Sequence, residues 1–135
     1  MPYFRVTVTD PALPAGAQRA LAEGLTALAV SVLRKDAART LVHLDLVPPA
    51  RYHVAGAPLA DGRDAYVEGN LTRGTNTAEE RAAFVVAAGA LLADVLGPLA
   101  RRGVALHELD PDSCGYGGET QRVHYRRLAG EPAAS

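Results

Sequence analysis

The first ten residues, MPYFRVTVTD (residues 1–10), determine how the rest of the chain is interpreted. Apolar and polar side chains alternate from Tyr3 to Thr9, which predicts a β-strand with one buried face. Pro2 comes directly before this strand, where proline is tolerated because its nitrogen need not donate a ladder hydrogen bond. After removal of Met1, Pro2 would carry a secondary amine at the terminus, and such an amine can act as a base.

A helix and a second strand follow in the first half of the chain. The helix is predicted over roughly residues 15 to 34, and Lys35 falls off its apolar stripe. Residues 41–47 alternate again and predict a strand in which His43 and Asp45 share one face. The apolar residues that recur at helical spacing are Leu21, Leu25, Leu28 and Val32.

The second half repeats this order of elements. A strand is predicted at about residues 64 to 71, and the pattern TAEE that follows is a capping box, with Thr77 as N-cap and Glu80 reaching back. Residues 101–103, two arginines and a glycine, are expected to close the helix, and residues 104–109 to form its partner strand. The apolar stripe of this second helix is predicted at Phe84, Ala88, Leu91 and Val95.

The repeated order indicates one α/β domain, residues 1–135, built from two βαβ units at about 2–62 and 63–128, with a mobile tail at about 129–135. Because a βαβ unit makes its two strands parallel, both helices should cover one face of a shared four-stranded sheet. A short C-terminal hairpin is expected from GYGG and the following QRVHY. The repeat itself is visible as a shift of 63 residues that aligns Tyr3 with Tyr66, Thr9 with Thr72 and Ala20 with Ala83.

The other face of the sheet would be uncovered, and this predicts self-association. An exposed apolar patch of this kind usually marks an interface. The side chains expected to form the patch are those of Leu41, Val47, Ala105 and Leu109.

Composition excludes several classes of protein. A net charge of −1 offers no general attraction to nucleic acid or to an anionic membrane. The most apolar stretch, residues 82–100, is interrupted by Asp94, Gly97 and Pro98, so it falls short of a membrane span. A single cysteine, Cys114, allows no internal disulfide. These features, with no secretory leader pattern at the terminus, predict a cytoplasmic protein of bacterial type.

Few residues in the sequence have a reactive group at a position that suggests a catalytic or binding site. The amine of Pro2 would serve as an acid/base or as a nucleophile toward a carbonyl, and burial or nearby cations would lower its pKa. Arg73 lies close to a helix N-terminus, where a cation is unfavourable unless it binds a ligand. His43 and His107 take equivalent places in the two units, where they either bond a substrate oxygen or pair with neighbouring carboxylates. Their spacing does not match a metal site, and no metal or cofactor is expected.

These residues resemble the tautomerase superfamily, in the fused form of 4-oxalocrotonate tautomerase-like chains and closest to cis-3-chloroacrylic acid dehalogenase. The resemblance implies a homotrimer with Pro2 as the catalytic group and Arg73 as an arginine that holds a substrate carboxylate. Asn76 stands where the dehalogenase-like loop has a second arginine. His107 stands in place of a tyrosine, and His43 in place of an arginine or asparagine. No glutamate matches the one that activates water in the dehalogenases.

The sequence therefore predicts a cofactor-independent tautomerase that interconverts the enol and keto forms of a small carboxylate-bearing 2-hydroxy or 2-oxo acid. Pro2 would be the acid/base, and Arg73, His107, His43 and Asn76 would bind substrate. One alternative is a hydratase, decarboxylase or dehalogenase that acts on a short unsaturated acid with the same proline. Another is a non-catalytic oligomeric binding protein of the same fold.

Overall fold

The computed structural model describes residues 1–131, so residues 132–135 of the predicted tail lie outside the described residues. Within these residues the fold consists of one principal sheet, two long helices, two short pairs of two-residue strands and a C-terminal helix. In chain order these are β1 (Tyr3–Val8), α1 (Ala15–Ser31), β2 (Leu41–Leu46), β3 (His53–Val54), β4 (Ala57–Pro58), β5 (Asp64–Thr72), α2 (Ala78–Leu96), β6 (Arg101–Leu109), β7 (Gly115–Tyr116), β8 (Glu119–Thr120) and α3 (Gln121–Leu128).

The principal sheet has four strands in the order β2-β1-β5-β6, which confirms the predicted architecture. The outer pairs, β1 with β2 and β5 with β6, are parallel, as expected for βαβ units. The central pair, β1 with β5, is antiparallel and sets Tyr3 opposite Asn70. The start of β1 therefore lies beside the end of β5.

The core lies between the sheet and the two long helices. Phe4 of β1 and Phe84 of α2 are both fully buried, and their rings stack with centroids 5.1 Å apart. In α2 the buried row continues in steps of four through Ala88 to Leu92 and Leu96, whereas the predicted Leu91 and Val95 are only partly buried. In α1 the fully buried positions are Leu21, Leu25 and Ala29, with Leu28 and Val32 at the margin.

The start of α2 is fixed by the predicted capping box. Glu80 N donates to Thr77 Oγ1 at 3.1 Å, and Thr77 N donates to Glu80 Oε1 at 2.9 Å. The helix ends earlier than predicted, at Gly97, whose positive φ of 76° reverses the chain just before a proline. Residues 101–103 therefore do not close the helix. They begin β6, where they pair with residues 64–66 of β5.

The cap predicts a measurable stability effect. Thr77→Ala leaves the N–H of Glu80 without its acceptor, and we expect the free energy of unfolding to fall by about 1 kcal/mol. Thr77→Ser keeps the hydroxyl and should stay within a few tenths of a kcal/mol of the unmodified chain. Urea unfolding of the three proteins at one concentration measures the difference. Equal loss in both variants would show that the cap hydrogen bond is not the cause.

The C-terminal segment departs from the predicted hairpin. A short hairpin does form, between Gly115–Tyr116 and Glu119–Thr120. The residues after it, predicted to continue the hairpin, are instead the helix Gln121–Leu128. The reason is a side-chain cap, because Thr120 Oγ1 accepts from Val123 N at 3.3 Å. His124 and Tyr125 of this helix line a cavity together with Met1.

The face of the sheet away from the helices is more polar than predicted. Leu41 is 43% exposed there, and Val47, Ala105 and Leu109 are only partly exposed. The face is occupied mainly by pairs of polar groups that bond across neighbouring strands. These pairs are Arg5 with Asp45, the Tyr3 hydroxyl with His43 Nδ1 at 2.8 Å, and His107 Nε2 with Glu68 Oε2 at 3.7 Å.

Candidate active site

One end of the sheet brings the chain terminus together with three loops. Leu41 N donates to the carbonyl of Pro2 at 3.0 Å, so the start of β2 is fixed to the residue before β1. In the β5–β6 half of the sheet, Arg73 N donates to the carbonyl of Leu109 at 2.8 Å. Because β1 and β5 run antiparallel, the loop after β5 that carries Arg73 lies at the same end as Pro2, whose ring is fully buried.

A cavity of about 180 Å³ lies at the terminus and is rich in cations. Its lining includes Met1, Lys35, Arg39, His124 and Tyr125. Lys35, which the sequence places off the buried face of α1, is only 8% exposed. Its Nζ donates to Thr75 Oγ1 at 2.8 Å and to the Tyr125 hydroxyl at 3.2 Å, so polar partners compensate the burial of the charge.

The terminal amine is strongly influenced by this cavity. In the described chain the amine belongs to Met1, and its pKa is lowered from 8.0 to about 6, first by burial and then by repulsion from Arg39 and Lys35. Arg73 is not among the cations that lower the pKa of this amine. His124 also has a lowered pKa, because it is partly buried and faces Arg39. The two weak bases of this cavity are thus both favoured in their neutral forms near pH 7.

Arg73 lines a second, larger cavity of about 460 Å³. The two cavities share Arg34 and Tyr125, so they lie side by side. Arg122 and Arg126 of α3 also line the larger one. The side chain of Arg73 is 62% exposed, and its guanidinium approaches Asp110 only to 3.8 Å, beyond hydrogen-bond distance. Arg73 is thus available to a ligand carboxylate.

Asn76, the other loop residue in the prediction, has a structural set of partners. It is 8% exposed, and its Nδ2 donates to the carbonyl of Leu33 at 2.9 Å and to Glu80 Oε1 at 3.4 Å. The first bond joins the end of α1 to the start of α2. The amide group is therefore committed to holding the two helices together at this end of the sheet.

Asn76 and Arg73 are expected to differ when each is replaced. Asn76→Ala leaves the Leu33 carbonyl without a donor and should lower the free energy of unfolding by about 1–3 kcal/mol. Arg73→Gln should change it by less than about 0.5 kcal/mol, because the side chain is exposed, and should instead raise KM. Urea unfolding and steady-state kinetics on both variants separate the two effects. A raised KM with unchanged stability in Asn76→Ala would assign Asn76 to the substrate.

His43 and His107 lie on the open face of the sheet and do not line either cavity. His43 is exposed and bonded to Tyr3, and His107 is 52% exposed beside Glu68. Within residues 1–131, no group of three or more histidine, cysteine or acidic side chains is placed to hold a metal ion, and no helix is long and apolar enough to cross a membrane.

The far end of the sheet is built differently. Asp64 occupies, at the shift of 63 residues, the place that Met1 has in the first unit. It is 1% exposed and lies 3.4 Å from Arg101, and its backbone N–H donates to Thr9 Oγ1. Arg63 bonds both Asp10 and the carbonyl of Leu96. At this end ion pairs join the neighbouring segments, whereas at the amine end no carboxylate within residues 1–131 bonds to Lys35 or Arg39.

The structure adds Lys35, Arg39, His124 and Tyr125 to the candidate site. The sequence carried a signal for the first two, since a lysine and an arginine within five residues join α1 to β2 beside the terminus. It carried no comparable signal for His124 and Tyr125, because their position depends on the turn that brings α3 back to the start of the sheet.

Comparison with known proteins identifies the fold. No protein-family model matches the sequence, and no curated protein sequence does. A solved structure of a fused 4-OT, a wild-type symmetric trimer, superimposes with a TM-score of 0.79 at 22% identity, over 89% of this chain and 96% of that one. The chain has the fused tautomerase fold.

Two further structures share this tautomerase fold. A member of the cis-3-chloroacrylic acid dehalogenase family aligns with a TM-score of 0.78 at 17% identity, over 96% of this chain and 92% of that one. A protein inactivated by 2-oxo-3-pentynoate aligns with a TM-score of 0.76 at 22% identity, over 90% of this chain and 98% of that one. Both alignments cover nearly the whole chain, so the shared fold extends over almost its full length.

Proposed function

We propose that this protein is a cofactor-independent tautomerase that acts on a small carboxylate-bearing 2-hydroxy or 2-oxo acid, with the amine of Pro2 as acid/base. The observation that supports this most directly is the cavity at the chain terminus, where burial, Arg39 and Lys35 lower the pKa of the Met1 amine to about 6. A base for enol chemistry must be neutral at working pH and must return its proton as an acid, and a pKa near 6 to 7 satisfies both requirements.

The reaction needs one proton and no water. The neutral amine takes the proton of the enol hydroxyl, and the O–H electron pair forms the C=O bond. The electrons of the C=C bond then take the proton from the ammonium group at carbon, which regenerates the neutral amine. Arg73, in the adjoining cavity, would hold a carboxylate of the substrate as an ion pair.

Removal of Met1 would place the amine on Pro2, one residue further into the fold. The ring of Pro2 is fully buried and its carbonyl is bonded to Leu41 N, so the nitrogen would be held in a fixed position. The carboxylate that lines the cavity, Asp36, already accepts a hydrogen bond from Ala38 N at 3.0 Å. This favours tautomerism over hydration, because hydration needs a further group to activate water.

The same proposal includes a homotrimer. The fused 4-OT structure of the same fold is a symmetric trimer, and the open sheet face of this chain is a flat surface of cross-strand polar pairs. Such a surface would pack against other copies, and this would bring His43 and His107 of one copy near another. Sedimentation equilibrium of the purified chain tests the assembly directly.

The function is tested by the ultraviolet absorbance of 2-hydroxymuconate and phenylenolpyruvate after mixing with the protein. Intact mass must first confirm that Met1 has been removed. Rapid ketonisation of either compound, well above the rate in buffer, supports the proposal. Inert protein with a processed terminus contradicts simple tautomerism and favours hydration, decarboxylation or a binding role.

The pH dependence follows from the amine. Burial, Arg39 and Lys35 lower the pKa of the Met1 amine to about 6, and we expect them to lower the pKa of the Pro2 amine as well. Below that lowered pKa, kcat/KM should fall about tenfold for each pH unit, since protonation removes the base. The groups around the amine that set this value are Arg39 and Lys35, which lower it, Asp36 and Cys114, which raise it, and neutral His124. A limb centred near pH 8, the ordinary value for an α-amino group, would show that the cavity does not act on the catalytic amine.

A further inference from the structure

Arg39 has an edge without a partner. Its Nε and Nη2 are both out of contact with solvent, and neither makes a hydrogen bond with any group in residues 1–131. A guanidinium that has lost its hydration without gaining an acceptor is costly, and such groups in native proteins need an explanation. Arg39 lines the cavity of the terminal amine, and its charge acts on that amine.

The carboxylates near Arg39 are engaged elsewhere. Asp36 accepts from Ala38 N, which caps the turn that carries Arg39. Glu119 accepts two bonds from Arg127, at 2.8 and 2.7 Å. Arg39 instead lies against the ring of Tyr116, with its central carbon 4.5 Å from the ring centroid. This cation–π contact satisfies none of the N–H groups of the guanidinium.

The unpaired edge has the shape that binds a carboxylate. Nε and Nη2 point the same way and donate two parallel hydrogen bonds to the two oxygens of one carboxylate. The chain provides an example in Arg34, whose Nε donates to Glu80 Oε2 at 2.6 Å and whose Nη2 donates to Glu80 Oε1 at 3.1 Å. In Arg39 the same pair of donors lacks its carboxylate.

We propose that Arg39, held by Tyr116, binds the carboxylate of the 2-oxo acid head of the substrate and places the reacting carbon at the terminal amine. The edge becomes available by rotation of the flexible arginine stem toward the cavity. The proposal rests on the proposed function for the identity of the ligand as a 2-oxo acid. In this assignment Arg39 binds the carboxylate of the 2-oxo acid head, and Arg73 contacts a more distant part of the substrate in the larger cavity.

The test uses a reagent that needs the amine and the carboxylate site but no turnover. 2-Oxo-3-pentynoate carries a 2-oxo acid head and an alkyne, and neutral 3-pentyn-2-one carries the same alkynone without the carboxylate. In each, the amine lone pair forms a C–N bond by conjugate addition to the alkyne, the displaced π electrons take a proton at the neighbouring carbon, and nothing leaves. Intact mass follows the rate of labelling at the terminus with both reagents.

The measured quantity is the ratio of the two labelling rates, carboxylate over neutral. We expect the ratio to fall about 10- to 100-fold in Arg39→Gln, as for the loss of a charged hydrogen-bond pair. Arg39→Lys, which keeps the charge but loses the planar edge, should recover only part of it. Arg19→Gln on the exposed surface of α1 should leave the ratio unchanged.

Two results would overturn the assignment. One is an unchanged ratio in Arg39→Gln whose circular dichroism matches the unmodified chain, and the other is a loss that follows Arg73→Gln instead. If neither reagent labels the terminus, the binding of phenylpyruvate is measured by calorimetry instead. A Kd raised about 10- to 100-fold by Arg39→Gln supports the proposal. Equal binding in the two proteins, or binding in neither, contradicts it.

Failure of the proposed function gives a different pattern. Carboxylate-selective labelling that depends on Arg39, in a protein that ketonises neither enol, would leave Arg39 as the binding group and reject tautomerism. Tyr116→Phe is a final control, since it keeps the stacked ring and should retain the ratio, whereas Tyr116→Ala should lower it.

Discussion

Replacing Pro2 by alanine is expected to slow ketonisation by at least about a hundredfold, the contribution of a positioned acid/base. The pyrrolidine ring is fully buried at the start of β1, and its packing would fix the direction of the nitrogen lone pair. Alanine would present a primary amine on a terminus that lacks this ring. The loss should appear in kcat, measured by ultraviolet absorbance with both termini confirmed by intact mass.

The matched control for this change is Pro11→Ala, in the exposed turn that follows β1. It removes a proline ring from the surface and should leave kcat within about twofold, as is usual for exposed positions. Thermal unfolding of both variants establishes that each is folded. If Pro2→Ala with a processed terminus kept more than a third of the activity, the secondary amine of the pyrrolidine ring would not be required for the acid/base step.

The largest effect on stability is expected from Phe84→Ala. Phe84 is fully buried in α2, and its ring stacks on Phe4 of the central strand β1 at an interplanar angle of 14°. Truncation removes the contact that joins the helices to the centre of the sheet and leaves a cavity. We expect a loss of about 3–5 kcal/mol in the free energy of unfolding, measured by urea denaturation.

Val86 on the same helix provides the comparison. It is 74% exposed, so Val86→Ala should change the free energy of unfolding by less than about 0.5 kcal/mol. Both variants must be measured at one protein concentration, because assembly contributes to apparent stability. A loss below about 1 kcal/mol in Phe84→Ala would mean that the aromatic stack does not hold the two layers together.

Local patterns were enough to predict the order of the elements. The alternation from Tyr3, the helical spacing of the leucines and the box at Thr77 each depend on neighbours in sequence, and the structure confirms the sheet with its two covering helices. The antiparallel centre was not predicted, because similarity between two units does not specify how they pair. The helix after Thr120 was also missed, since its eight residues are mostly polar and Val123 stands where a capping box has an acid.

The candidate site was predictable only in part. Pro2 and Arg73 were identified by position and charge, and the antiparallel centre places them at the same end of the sheet. Burial of Lys35 and the stacking of Arg39 on Tyr116 depend on α3 and the C-terminal hairpin folding back over the terminus. Such contacts join segments about 80 to 90 residues apart, and no periodicity within either segment reports them.

The contrast between the two ends of the sheet has a consequence for how this protein can change. If the two units had identical sequences, each substitution would alter both ends of the sheet at once. A change of ligand specificity at one end would then also weaken the stabilising ion pairs at the other. Here the ion pairs made by Asp64, Arg63 and Arg101 involve different residues from those around the amine. Mutational libraries confined to the amine end, at residues 34–39 and 114–128, can therefore vary the ligand while the far end keeps the chain folded.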